Sequence, residues 1–198
     1  MAGESTPMMK QYRQIKSELA PGTILFFRLG DFYEMFFEDA QVAAPVLNIS
    51  LTKRNKVPMC GIPFHAAENY LSRLIKAGLK VAICEQVEDP SQTKGIVRRE
   101  VRSIITPGTV TEESILESNR NNCLGGLYLT KDSIGMSFLD LSTGSFWVEE
   151  SGDPEVLIDN MARYRPSEVA VPEEQIEDER LSVVRDVLPQ VVLTPCQD

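Results

Sequence analysis

The chain has 198 residues, of which 42% are hydrophobic and 25% are charged, as in an ordinary soluble protein with one large domain or two small ones. No apolar run approaches the ~20 residues that a membrane-spanning helix needs, and the first residues lack the features of a secretory signal. Four scattered cysteines and a single histidine argue against a zinc site and do not suggest disulfides. We therefore expect a cytoplasmic protein with no membrane or metal partner.

The charge is distributed unevenly along the chain. The formal net charge of −9 argues against a nucleic-acid partner. However, residues 1–110 contain 14 Lys/Arg and 11 Asp/Glu, whereas residues 111–198 contain 6 and 18. The first part can therefore meet a phosphate backbone, while the second part is repelled by it and is expected to face protein.

The first 110 residues predict a mixed α/β domain. Thr6-Pro7 predicts the start of an amphipathic helix that ends before Pro21. Residues 23–37 predict two short strands or one bent strand, interrupted at Gly30-Asp31. A short helix is predicted from residue 38, and it ends or kinks at Pro45. A strand at 49–52 and a basic loop at 53–56 follow, and then a strand at 57–62 that is expected at an edge because it contains Pro58. The last predicted elements of this part are a helix at 65–77 and strands at 80–86 and 101–105.

The second half predicts a separate α/β domain. We place the first domain at residues 1–112, an acidic linker at 113–122, and the second domain at 123–198. The predicted elements of the second domain are strands at 123–129, 133–140 and 144–149, a helix at 154–164, a strand at 168–171, a helix at 178–188 and a strand at 190–194. Three antiparallel strands followed by helix–strand–helix–strand is the order of a ribonuclease-H-like domain.

Several short motifs occur in a fixed order across about the first 110 residues. They are Thr6-Pro7-Met8-Met9, Gly30-Asp31-Phe32-Tyr33-Glu34, Ser50-Leu51-Thr52-Lys53-Arg54, Gly61-Ile62-Pro63-Phe64-His65, Asn69-Tyr70-Leu71, Ala82-Ile83-Cys84-Glu85-Gln86 and Thr106-Pro107-Gly108-Thr109. Together they resemble the amino-terminal part of the MutS family of DNA mismatch-recognition proteins. The resemblance implies an α/β protein in which a mixed-sheet mismatch-recognition domain precedes a partial, ribonuclease-H-like connector domain.

The resemblance also implies roles for Phe32 and Glu34. In this family the aromatic residue is a wedge that enters DNA at a mispair, and the acid touches the mispaired base. Inserting an apolar side chain in the minor groove costs a few kcal/mol per base step, and the cost is lower where pairing is already weak. If the segment is a strand, Phe32 and Glu34 lie on one side and Tyr33 on the other, in the core. Without the resemblance, Phe32 is interpreted as a core residue and Glu34 as an exposed strand carboxylate.

Basic residues are the candidates for contacts with the DNA backbone. The resemblance places Lys53 and Arg54 near phosphates, and Lys56 follows in the same loop. Met59 and Leu29 either line the minor groove around the wedge or belong to the core. The weaker candidates, for which a solvated surface position is the alternative, are Arg28, Lys94, Arg98, Arg99 and Arg102.

The sequence offers little for catalysis. It contains no phosphate-binding loop of the form G-x-x-x-x-G-K-[ST], so we do not expect this chain alone to be an enzyme or to hold a cofactor. His65 is interpreted as a helix cap or packing residue, and Asp140 as a turn residue. Asp140 and Glu168 do keep open an alternative function, a ribonuclease-H-like nuclease with a DNA-binding front domain. A module that only docks protein is a third possibility.

For the full-length protein, the resemblance implies an ATPase that uses ATP and Mg²⁺, acts as a homodimer and binds duplex DNA with mispairs or small loops. It also implies contacts with downstream mismatch-repair proteins, which the acidic connector could provide.

Overall fold

The structure is a computed structural model that describes residues 6–88, 95–110 and 122–197. The chain divides into two compact units, Met1–Ile105 and Thr106–Asp198, and each is described by itself. Within the described ranges, no helix is long and apolar enough to cross a membrane.

The first unit is built on one six-stranded mixed sheet, as expected for a mixed α/β domain. Its elements are α1 Pro7–Ser17, β1 Ile24–Leu29, β2 Phe32–Phe36, α2 Phe37–Leu47, β3 Thr52–Arg54, β4 Val57–Pro63, α3 Ala67–Lys76, β5 Val81–Gln86 and β6 Arg99–Ile105. The strand order is β3-β4-β2-β1-β5-β6. Strand β1 runs parallel to β5, and the other neighbours are antiparallel.

Helix α1 packs on one face of this sheet. Thr6 Oγ1 accepts a hydrogen bond from the Met9 amide at 3.3 Å, which confirms the predicted N-cap. The helix buries Met9 and Tyr12 in a cluster with apolar side chains from the sheet. Those side chains are Leu25, Phe27, Phe36, Ala82 and Cys84.

Where the pairing between β1 and β2 ends, a buried carboxylate accepts the hydrogen bonds of nearby polar groups. The paired residues of these strands end at Phe27 and Glu34. Beyond that point the buried Asp39 carboxylate accepts hydrogen bonds from the Leu25 amide at 3.1 Å and from the Tyr12 hydroxyl at 2.6 Å. Burial and the neighbouring carboxylate hold the pKa of Tyr12 well above its usual value. This network joins α1, β1 and α2 beneath the β1–β2 hairpin.

The prediction of an edge strand at residues 57–62 was wrong, because β4 lies between β3 and β2. The reason is that Pro58 lies outside the β2 pairing, which ends at Met59. Pro58 pairs only with Lys53 of the short strand β3, so β4 tolerates a residue without an N–H at this end. The true edge is β3, in the region predicted as a basic loop.

The second unit contains a five-stranded sheet with the order β11-β10-β7-β8-β9. Its elements are β7 Cys123–Leu129, β8 Ile134–Asp140, β9 Ser145–Ser151, α4 Pro154–Tyr164, β10 Glu168–Pro172, α5 Ser182–Val187 and β11 Val192–Cys196. Strands β7, β8 and β9 are antiparallel, whereas β10 and β11 run parallel to β7. This is the ribonuclease-H-like order that the sequence predicts. Helices α4 and α5 contribute Leu157, Met161 and Val184 to one buried cluster with the sheet.

The segment before the second sheet belongs to the second unit. The Gly108 amide donates to Glu168 Oε2 at 3.0 Å, and Asn122 Nδ2 donates to the carbonyls of Pro107 and Val110 at 2.9 and 3.1 Å. A Cβ atom on Gly108 would lie 2.8 Å from the side chains of Glu168 and Leu124, so this close approach requires glycine. The compact units therefore divide between Ile105 and Thr106, earlier than the domain end that we placed at residue 112.

Candidate nucleic-acid interface

The β1–β2 hairpin presents the two residues for which the family resemblance implies a role in mismatch recognition. Leu29 pairs with Phe32, and Gly30 and Asp31 form the two-residue connection between them. Gly30 has φ +59°, and a positive φ at the first position of a two-residue hairpin loop is what a type II′ turn requires. The Phe64 amide donates to the Asp31 carbonyl at 3.0 Å. The turn is therefore fixed both by its own conformation and by the segment that follows β4.

Phe32 is an exposed aromatic residue at the start of a strand whose other residues are buried or partly buried. It is 47% exposed, whereas Tyr33 is 6% and Met35 is 0% exposed. The alternation of the strand accounts for this difference, since Tyr33 and Met35 point into the core on the opposite face. The prediction that Tyr33 is a core residue is confirmed.

Glu34 lies on the same face as Phe32 and forms an ion pair with Arg54. The Arg54 Nη1 to Glu34 Oε2 distance is 2.7 Å. The Glu34 side chain is 13% exposed, and that of Arg54 is 41% exposed. Arg54 is thus the outer partner and covers a carboxylate that has little contact with water. Sequence reasoning did not find this pair, because the two residues are 20 positions apart on β2 and β3.

The basic segment near Lys53 is a hairpin with side chains on both faces. Lys53 and Arg54 belong to β3, not to a loop, and they pair with Pro58 and Val57. Because neighbouring side chains of a strand alternate, Lys53 points away from the face that carries Glu34 and Arg54. Asn55 and Lys56 both have positive φ, 50° and 67°, as in a type I′ turn. Within the described residues, Lys53 and Lys56 are exposed and form no ion pair.

Met59 and Leu29 lie on the same face as Phe32, and both are partly buried against the cluster beneath α1. They therefore support the base of the hairpin while keeping part of their surface in solvent. The structure brings them together with Phe32 and Glu34 as neighbours on one side of the sheet.

Arg28 lies on the opposite face of the hairpin. Its guanidinium stacks 3.6 Å from the centroid of the Phe64 ring, and its Nε donates to the Gly30 carbonyl at 2.6 Å. Glu85 lies beside it and accepts a hydrogen bond from the Tyr33 hydroxyl. Burial and this hydrogen bond raise the pKa of Tyr33 to about 12. Arg28 therefore braces the hairpin, and its contact with a phosphate stays a prediction.

The remaining basic candidates are buried, lie at the other edge of the sheet or fall outside the described residues. Arg99 is 7% exposed, and it donates to the Arg28 carbonyl at 2.6 Å and to Gln11 at 3.0 Å. Burial lowers its pKa, and we assign it a structural role in place of a phosphate contact. Arg98 and Arg102 are exposed beside or on β6, at the edge of the sheet opposite β3. Lys94 lies outside the described residues.

Comparison with known proteins now decides the family. The family description MutS domain I matches residues 6–114, and MutS domain II matches residues 121–194. The chain belongs to the MutS family. DNA mismatch repair protein MutS of Clostridium botulinum (strain 657 / Type Ba4) is 48% identical over 98% of this chain, and that of Desulfosudis oleivorans is 48% identical over 96%. The chain spans about 21% and 22% of the length of these two relatives.

Asp140 and Glu168, the two acids that kept a two-metal nuclease open as an alternative, do not lie together in the structure. Asp140 pairs with Cys123, and Glu168 pairs with Leu124. Since neighbouring residues of β7 point to opposite faces, the carboxylates of Asp140 and Glu168 are on opposite faces of the sheet. Asp140 Oδ1 accepts from the Ser142 amide at 2.9 Å and from its hydroxyl at 2.6 Å, which is the arrangement of a turn residue. Among the described residues, no group of three or more potential metal ligands occurs.

Proposed function

We propose that this chain is the mismatch-reading part of a longer DNA-binding protein. In this proposal Phe32 enters the minor groove and tests whether the duplex deforms, while Glu34 accepts a hydrogen bond from the displaced base. The observation that carries the proposal is the exposure of the Phe32 ring, 47%, at a braced hairpin turn. A side chain of this size in solvent stabilises the fold less than a buried ring does, so its position favours a role in binding.

The physical basis of the proposal is a difference in deformation cost. Unstacking one base step costs a few kcal/mol, and stacking a base on an aromatic ring returns ~1–3 kcal/mol. In a matched duplex the two contributions approximately cancel. At a mispair the cost is lower, so the wedge is inserted there preferentially. A single ring can thus detect mispairs of different chemistry, because it senses deformability and not a base pattern.

The charged residues supply binding that does not depend on sequence. Lys53 and Lys56 are exposed on the β3–β4 hairpin and have no ion pair within the described residues. Such cations bind phosphates and fix the position of the protein on the duplex without reading bases. Arg98 and Arg102 could extend the contact along the opposite edge of the sheet. This arrangement suits the positive balance of residues 1–110, 14 Lys/Arg against 11 Asp/Glu.

The proposal extends to a longer protein, because the chain spans only about a fifth of the length of its relatives. We propose a cytoplasmic homodimer that uses ATP and Mg²⁺ in later domains, with the acidic second unit facing downstream repair proteins. The relatives that match this chain over 98% and 96% of its length are named DNA mismatch repair protein MutS.

The test is the substitution Phe32→Ala in the full-length protein. Binding to a duplex with one G·T mispair and to the matched duplex is measured by fluorescence anisotropy at one salt concentration. The preference for the mispair should fall about 5- to 150-fold, which corresponds to the loss of ~1–3 kcal/mol of stacking. Phe146→Ala is the matched control, because this ring is 61% exposed in the second unit. A Phe32→Ala protein that discriminates as well as the control contradicts the proposal.

A further inference from the structure

The ion pair between Arg54 and Glu34 has a consequence for mismatch reading. We infer that Arg54 positions and neutralises Glu34, so that discrimination depends on Arg54 through Glu34 and not through a phosphate contact alone. The inference rests on the proposed function. Its basis is the 2.7 Å contact between a carboxylate that is 13% exposed and a guanidinium that is 41% exposed.

Arg54 cancels a charge that would otherwise oppose DNA. An isolated carboxylate on the face that meets a duplex is repelled by every phosphate, whether the duplex is matched or not. With Arg54 in contact, the pair is neutral and this repulsion is reduced. Removing Arg54 leaves a poorly solvated carboxylate without its partner, which is more costly than losing an exposed ion pair.

Arg54 also holds the carboxylate in one orientation. The contact uses Glu34 Oε2, and Oε1 accepts no hydrogen bond within the described residues. A carboxylate has about four acceptor sites on its two oxygens, so a displaced base can bond to Oε1 while Arg54 remains on Oε2. Without Arg54, the side chain regains its rotamer freedom, and ordering it again weakens the contact with the base.

Lys53 provides a matched control from the same strand. It precedes Arg54 directly but points to the other face, pairs with Pro58, and forms no ion pair within the described part of the chain. Both residues carry one positive charge next to the same turn. If Arg54 acted only on phosphates, substituting either residue would have the same kind of effect.

The experiment is a double-mutant cycle in the full-length protein. The wild type, Arg54→Ala, Glu34→Ala and the double variant are each titrated with a G·T duplex and a matched duplex at one salt concentration. Arg54→Ala should lower the G·T preference about threefold or more when Glu34 is present, and change it by less than about twofold when Glu34 is Ala. Lys53→Ala should weaken binding to both duplexes by the same factor, so that their affinity ratio stays the same in both backgrounds. Arg54→Lys, which keeps the charge but not the guanidinium geometry, should fall between the wild type and Arg54→Ala.

The result that overturns the inference is additivity. If Arg54→Ala and Glu34→Ala act independently, or if Lys53→Ala couples to Glu34 equally, Arg54 is an ordinary backbone contact. Phe32→Ala, measured in parallel, separates this failure from a failure of the proposed function: loss of preference in Phe32→Ala together with an additive cycle rejects only the role of Arg54. Thermal melting of each variant is recorded, and if Arg54→Ala is not folded, Arg54→Gln replaces it in the same cycle.

Discussion

Substituting Asp39 tests how strongly the buried hydrogen-bond network beneath the β1–β2 hairpin stabilises the first unit. Asp39 is 4% exposed, and its Oδ2 accepts both the Tyr12 hydroxyl and the Leu25 amide. Its Oδ1 lies 2.6 Å from Lys16 Nζ, whose side chain is 30% exposed. Asp39→Ala removes all three contacts and leaves the Leu25 amide buried without an acceptor, which costs about 1–3 kcal/mol. With the loss of the Tyr12 bond, and a discounted contribution from Lys16, we expect a total of about 2–4 kcal/mol.

Asp39→Asn should be much milder. Its amide oxygen can occupy the position of Oδ2 and keep both buried bonds, so that only the contact with Lys16 is lost, at about 1 kcal/mol or less. Hydrogen exchange followed by mass spectrometry on peptides that cover β1 measures the first unit alone. Asp39→Ala should reduce protection there about 30- to 900-fold, and Asp39→Asn less than about tenfold. Glu38→Ala, an exposed neighbour on α2, is the control. Equal effects of Asp39→Ala and Glu38→Ala would refute the reasoning.

Three further predictions concern charge and protonation. Replacing Lys53 and Lys56 together by Ala should weaken matched and mispaired duplexes equally and flatten the slope of log affinity against log salt by about one unit per lost phosphate contact; a loss on mispairs alone would contradict it. Glu34→Ala should raise the affinity for matched DNA, because the positive charge of Arg54 is then no longer neutralised by Glu34. Discrimination should rank Glu above Gln above Ala; an unchanged or lower affinity for matched DNA would contradict this prediction. Of the four thiols in the native 198-residue chain, we expect the exposed Cys196 alone to react with iodoacetamide at pH 8. Labelling of a second thiol would contradict this prediction. Burial raises the pKa of Cys60 to about 11, that of Cys84 to about 12 and that of Cys123 to about 11. These three thiols therefore remain protonated at pH 8.

The features that sequence could predict are those that depend on local patterns. Thr6-Pro7 specifies the start of α1, and alternation along β2 is enough to separate Phe32 from Tyr33. The order of strands and helices in the second unit is equally local, because each element has its own periodicity.

The features that sequence could not predict depend on strand register. Whether β4 is an edge strand follows from where the β2 ladder ends relative to Pro58, and nothing in the local sequence encodes that position. The Glu34–Arg54 pair requires β2 and β3 to flank the same strand with both side chains on one face. Arg99 has a charged side chain, which local sequence predicts to be exposed. It is buried because the carbonyl of Arg28 and the side chain of Gln11 accept its hydrogen bonds, and the periodicity of the sequence does not reveal these acceptors.

The bend of a mispaired duplex tests the wedge most directly. A short duplex with a central G·T mispair carries a donor and an acceptor dye at its two ends, and energy transfer is measured at saturating full-length protein, so that weaker binding does not mask the result. We predict that the wild type increases the transfer by bending the duplex ~20–90°, and that Phe32→Ala binds without this increase while Phe146→Ala retains it. Equal bending by the wild type and Phe32→Ala would contradict the account.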